Sequence, residues 1–159
     1  MALTSYVSVN GETQGNIKGG CTQSGDKAEK LMIYGHDHQI SIPNDTHTGK
    51  ATGQRIHHEY VLKKSLDVAS PLLLNAIASG ENLTIVHDIY EISDEGVETK
   101  KATITLSNAI ITNLRRYTPE TFTAEAKPYH DMEEVSIRYG AIKHEHISGA
   151  ITGEDSWTA

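Results

Sequence analysis

The sequence predicts a mainly β protein: a β-barrel of two packed antiparallel sheets carrying one short α-helix at about residues 71–79. Three observations predict it. Apolar and polar residues alternate with a period of two along most of the chain, as strands with one buried face require. One segment, "DVASPLLLNAIASGE", breaks that rule and spaces its apolar residues for a helix. Between two long alternating runs, "SDEG" reads as a tight hairpin turn, which joins antiparallel strands.

The elements follow in order. "SYVSV" sets Tyr6 opposite Val7 and Val9 and reads as the first strand. "GNIKGGCTQSGDKAEK" is a glycine- and charge-rich connection, and its Cys21 reads as incidental. "LMIYGHDHQISI" is the second strand, with Leu31, Ile33 and Gly35 on one face. "RIHHEYVLKK" alternates Ile56, His58, Tyr60 and Leu62 against His57, Glu59, Val61 and Lys63, a half-buried strand. In the helix, Ser70 is the expected N-cap and Pro71 the first helical residue. Leu73 and Ile77 form its apolar face, flanked by Leu74 and Ala76, and Gly80 ends it. About nine residues are too few to stand alone, so the helix must dock. "NLTIVHDIYEI" and "VETKKATITLSNAIITNL" are the strands joined by the tight turn. In "EEVSIRYGAIKHEHI", Val135, Ile137 and Tyr139 share a face while Ile142 has the opposite parity, so Gly140 marks a β-bulge. The strands close, or nearly close, a barrel.

At 159 residues the chain is most simply one domain, 1–159, able to bury roughly 70% of its unfolded surface. A net charge of -7 argues against a nucleic-acid partner, whose phosphates need a basic stripe. No apolar run is long enough to cross a membrane as a helix. "MALTSYVSVNGET" has neither a basic start nor an apolar core, so no secretory signal is expected. Cys21 is the single cysteine, which excludes an internal disulfide and fits a reducing cytoplasm.

"NDTHTGKATGQR", residues 44–55, invites reading as a phosphate loop because it holds Gly49-Lys50. That motif needs a hydroxyl after the lysine to hold magnesium, and Ala51 has none. Asn44 stands where the first glycine belongs, and a strand-like segment follows where the motif demands a helix. Residues 43–54 contain no large apolar side chain, and such long loops are functional or disordered.

Nine histidines include two pairs, His36/His38 and His144/His146, each on one strand face. They bind zinc if a third ligand such as His57, His58 or His87 converges; otherwise they are polar positions on solvated faces. No Gly-x-Ser-x-Gly elbow is present, and Asp94, Glu95, Glu133 and Glu134 suit solvated turn or strand-entry positions. No cofactor and no catalytic residue is expected. The residues alone leave a small-ligand or metal-binding barrel, or an enzyme of unknown class, as rivals to a structural role.

Several ordered stretches resemble the haemolysin-coregulated protein (Hcp) family, the tube component of type VI secretion systems. They are "IKG" at 17–19, "IPNDTHTGKATGQRIHHEYVLKKSLDVASPLL" at 42–73, "SGENL" at 79–83, "VSIRY" at 135–139 and "DSW" at 155–157. The central block is the specific part, and the resemblance covers nearly the whole chain. Three places depart from the family's pattern: Tyr60 for Phe, Ala69 for Ser, and "IKHEH" where a tryptophan is common. The resemblance implies a phage tail-tube-like fold and a homohexameric ring around a lumen. The rings stack on one another inside a contractile sheath, above baseplate components and beneath a spike protein. The tube is expelled without a signal peptide and carries effector proteins in its lumen. It implies no fused C-terminal effector domain, no enzymatic activity and no membrane insertion. The family's long loop lies at subunit and ring contacts, so Pro43, Asn44, Thr48, Gly49, Lys50, Thr52, Gly53 and Arg55 are the expected contact and turn residues.

Overall fold

The computed structural model describes residues 1–126 and 130–156, so Trp157 of the "DSW" stretch lies outside the described residues. The elements run β1 (Ser5–Gly11), β2 (Gly15–Ile17), β3 (Leu31–Ile33), β4 (Gly35–Asp37), β5 (Ile40–Ser41), β6 (Ile56–His57) and β7 (Tyr60–Ser65). Then come α1 (Ser70–Ser79), β8 (Leu83–Ile92), β9 (Glu98–Tyr117), β10 (Met132–Arg138), β11 (Ala141–His146) and β12 (Ile151–Ser156). The strands pair antiparallel, in the order β2-β1-β8-β9-β10-β7-β4, with β3 on β1, β11 on β9 and β12 on β11. The mainly β class with one helix is as the sequence predicts.

The barrel is not closed. The segment expected as one second strand is split, because residues 31–37 change partner at Tyr34. β3 pairs with β1 and β4 with β7, while the exposed Tyr34 donates its N–H to the Lys63 carbonyl at 2.9 Å.

β9 is the spine. β8 lies along one edge, and β10 and β11 succeed each other along the other. Its buried positions are Ala102, Ile104 and Leu106, then Ala109 and Ile111. Parity changes at Asn108, which has a left-handed φ of 50°. Opposite it, Gly140 donates to the Ser107 carbonyl at 3.0 Å, and a Cβ there would sit 3.1 Å from the Asn108 Cβ. The expected re-phasing at Gly140 therefore occurs, but two residues on each strand lie between the Arg138–Ile110 and Ala141–Ser107 pairs. Both strands bend together there, and the inserted residue expected in one of them is absent.

The core gathers Val7, Val9, Leu31, Ile33, Leu62, Leu83, Ile85 and Leu106, all at most 2% exposed. The alternation in "SYVSV" is real, with Tyr6 turned into a second cluster beside Tyr90 and Cys21. Cys21 is thus a core residue, which its polar neighbours in sequence concealed. α1 buries Leu73 and Ala76 against the barrel and ends at Gly80, where φ is 67°. Ser70 is not its cap. Its hydroxyl accepts the Asp67 N–H at 3.1 Å, and the Asp67 carboxylate accepts the Ala69 N–H at 3.0 Å, so Asp67 organises the helix entry.

Beneath that entry lies a buried ion-pair network. Lys64 and Glu133 are fully buried 3.2 Å apart; Lys64 also meets Asp67 at 3.1 Å, and Arg116 meets Glu133 at 2.9 Å. Removing one member of a buried pair strands the other without solvation. Glu133→Gln should therefore cost about 3–5 kcal/mol in urea unfolding, whereas Lys18→Ala at the exposed pair with Glu29 should cost under about 0.5. Equal costs would contradict the structural role given to the network.

Candidate functional site

Residues 40–57 form an arm that leaves the barrel as a hairpin. β5 and β6 pair Ile40 with His57 and Ser41 with Ile56. Further out, Thr52 donates to the Pro43 carbonyl at 2.8 Å, Asn44 bridges Ala51, and Asp45 donates to the Lys50 carbonyl at 2.8 Å. The tip is set by Asp45, whose carboxylate accepts the His47 N–H at 2.9 Å and the Thr48 hydroxyl at 3.1 Å. These bonds hold its carboxyl below the usual aspartate range, the His47 amide contributing most. Gly49 takes φ of 70° and donates to the Asp45 carbonyl at 2.7 Å, a conformation that disfavours side chains.

The expected contact residues are thus brought together in one ordered, protruding element. Asn44, Thr48, Gly49, Lys50, Thr52, Gly53 and Arg55 are exposed and Pro43 is half-buried. The Gly49 amide turns inward to Asp45 and the following segment is the strand β6, so the phosphate-loop arrangement is not formed. Nearer the barrel, Ile40, Ile42 and Ile56 are 48%, 53% and 40% exposed. Sequence reasoning assigned Ile40, Ile42 and Ile56 to strand faces and missed that they stand open on a projection.

At the root, the side chains form a directed chain. Arg55 donates from Nε and Nη2 to the two Asp155 oxygens, the Nη2–Oδ1 distance being 2.8 Å, and from Nη2 to the Ser156 carbonyl at 3.0 Å. His57, buried, lies 2.7 Å from Asp155 through Nε2 and 2.6 Å from the Tyr139 hydroxyl through Nδ1. An ionised carboxylate only accepts, so His57 Nε2 carries the hydrogen and, in the neutral ring, Nδ1 accepts from Tyr139. The Tyr139 oxygen then accepts from His38 Nε2, at 2.8 Å. The bonds from Arg55, then those from His57, pull the Asp155 carboxyl down to about 2. Burial, then the charge of Asp155, pushes Tyr139 up to about 12, so it is no activated nucleophile at neutral pH.

A second polar group lies inside the same end of the barrel. His87, fully buried, bonds the Tyr60 hydroxyl at 2.6 Å and the Ser5 hydroxyl at 2.7 Å, and its ring meets that of His36 edge-on at 4.8 Å. His36 is exposed and His38 half-buried, and both touch this histidine–tyrosine cluster from the surface side. Of the other pair, His144 is exposed, and His146 accepts the Gly149 N–H at 3.1 Å within the β11–β12 turn. Among the described residues no three His, Cys, Asp or Glu side chains gather as a metal site.

Burial holds His36, His38 and His87 below the ordinary imidazole value of 6.5, His87 at about 3 with a further push from His36. The unfolded chain therefore takes up these protons first as pH falls. Stability is lost from about 6.5 downward, and the His87 share is complete only near 3. His87→Gln should lower stability at neutral pH yet flatten the decline between about pH 6 and pH 4 by about 1.4 kcal/mol per pH unit. Urea titrations at several pH values measure this, and an unaltered slope would exclude His87 as the source.

The chain matches the family described as "Type VI secretion system effector, Hcp" over residues 6–146. It is 33% identical over 166 residues to the "Major exported protein" of Pseudomonas aeruginosa, spanning 99% of this chain and 96% of that protein. A crystal structure of an Hcp protein superposes with a TM-score of 0.90 at 26% identity over 98% of both chains. Hcp1 from the E. coli EAEC 042 pathovar superposes at 0.85 and 27% identity, covering 98% of this chain and 99% of that one.

Proposed function

This chain belongs to the Hcp family of type VI secretion proteins, and from that premise we propose that it is a structural subunit of the secretion tube. Six copies close into a ring around a lumen, and the rings stack inside a contractile sheath on baseplate components, beneath a spike protein. The tube is made in the bacterial cytoplasm, leaves without a signal peptide, and carries effector proteins in its lumen. The reading assigns it no catalysis, no cofactor, no nucleic acid and no membrane insertion.

The observation that carries the reading is the arm. Its backbone is laddered within the hairpin, yet Ile40, Ile42 and Ile56 stay 48%, 53% and 40% exposed among the described residues. A head-to-tail interface supplies that cover, and such interfaces close into rings when their rotation allows. Pro43, Asn44, Thr48, Lys50 and Thr52 then offer polar groups to the neighbouring subunit, while Gly49 and Gly53 leave its backbone room to approach.

Light scattering after gel filtration tests the ring: six chains of 17.4 kDa give about 104 kDa, imaging as a hollow disc in negative stain. A monomer at every concentration would overturn it. Gly53→Val tests the arm. A Cβ at Gly53 meets the Pro43 side chain only at an ordinary 3.5 Å, so the single chain should keep its stability while assembly weakens. Gly49→Val should weaken assembly too, with an added cost from its φ of 70°. Unchanged assembly in both variants would remove the arm from the interface.

A further inference from the structure

The tube reading uses the arm but gives no role to Asp155 and Ser156 of β12. The two meet at the arm's root. The ladder from Ile40–His57 out to Asp45–Lys50 joins arm residues to one another, so it fixes the hairpin's shape and leaves its direction open. Direction comes from bonds to the barrel. Arg55 and His57 stand two apart on one face of the chain and reach the same carboxylate. That carboxylate is anchored: β12 pairs with β11 through Ile142–Asp155 and Ala141–Ser156, and β11 pairs with the spine β9. On its other side His57 is held by Tyr139, and its carbonyl by Arg138 Nη1 at 3.5 Å.

We propose that Asp155 is the positioning residue of the arm: it gathers Arg55 and His57 onto β12 and so sets the direction in which residues 40–57 meet a neighbouring subunit. The consequence for assembly rests on the tube reading, while the clamp itself does not. An aspartate is specifically suited, since its two oxygens accept three N–H groups from Arg55 and His57. Asparagine keeps the shape but presents one NH₂ to a donor, breaking one arm of the clamp.

The test uses Asp155→Asn and Arg55→Lys, which keeps charge but loses the planar fork. Spin labels on Thr48→Cys and Asp94→Cys report the arm-to-barrel distance in dilute, unassembled protein; Cys21 is buried and stays unlabelled. The proposal predicts a narrow distribution in the parent and a broad one in Asp155→Asn, with Arg55→Lys between them. Unlabelled Asp155→Asn should need about tenfold or more protein to assemble, with its thermal midpoint nearly unchanged. A narrow distribution in Asp155→Asn overturns the clamp. A broad distribution with parent-like assembly overturns its consequence. A parent that never forms rings sinks the tube reading alone, and the distance measurement still decides the clamp.

Discussion

The fold depends on one strand being too long for the domain that contains it. Twenty residues of straight strand would extend about 66 Å, whereas a domain of this length is about 40 Å across. β9 must therefore bend, and it does so by carrying extra residues. Its pairing with β8 slips near Ser107 and again at Lys101, and its pairing with β10 slips at Thr112. Each slip adds a residue to β9 and curves it. The core fills the hollow of that curve, and the strands on both edges inherit its bends. Asn108 in its left-handed conformation and Gly140 across from it are the tightest expression of this constraint.

The body and the arm are held by different physics. The body rests on an apolar core in which buried charged groups are paired, as Lys64 is by Glu133, Asp67 and Ser70. The arm buries almost nothing beyond His57 and is joined to the barrel through charge-assisted bonds at its root. Elements with few buried apolar contacts open at low free-energy cost, which suits a segment that completes its burial on a partner. An exposed Arg–carboxylate pair is screened by solvent and contributes little to stability, enough to bias a direction and too little to hold the fold.

Much of this was legible in the chain. Period-two alternation located most strands, the Pro-to-Gly segment located α1, and the parity change from Tyr139 to Ile142 located the bend at Gly140. What escaped was long-range. Nothing local marks Tyr34 as the point where a strand changes partner, because the cause is the curvature of β1 and β7. Lys64 shares the buried parity of Tyr60 and Leu62, but its partner Glu133 is brought to it only by the pairing of β7 with β10. Cys21 looked incidental because Tyr6 and Tyr90, which enclose it, are distant in sequence. The arm's residues read as one polar loop, but the bond at its root did not show, since Arg55 and Asp155 lie 100 positions apart. The "DSW" match gave position 155 prominence without a chemical reason.

The central claim is that the arm is the element through which copies of this chain recognise one another. Hydrogen exchange with mass spectrometry, comparing dilute monomer with assembled particle, tests it most directly. The account predicts that amides in residues 40–57 exchange far more slowly after assembly, while those of α1 and the core of β9 keep their rates. A particle that assembles with the arm exchanging as fast as in the monomer would contradict it.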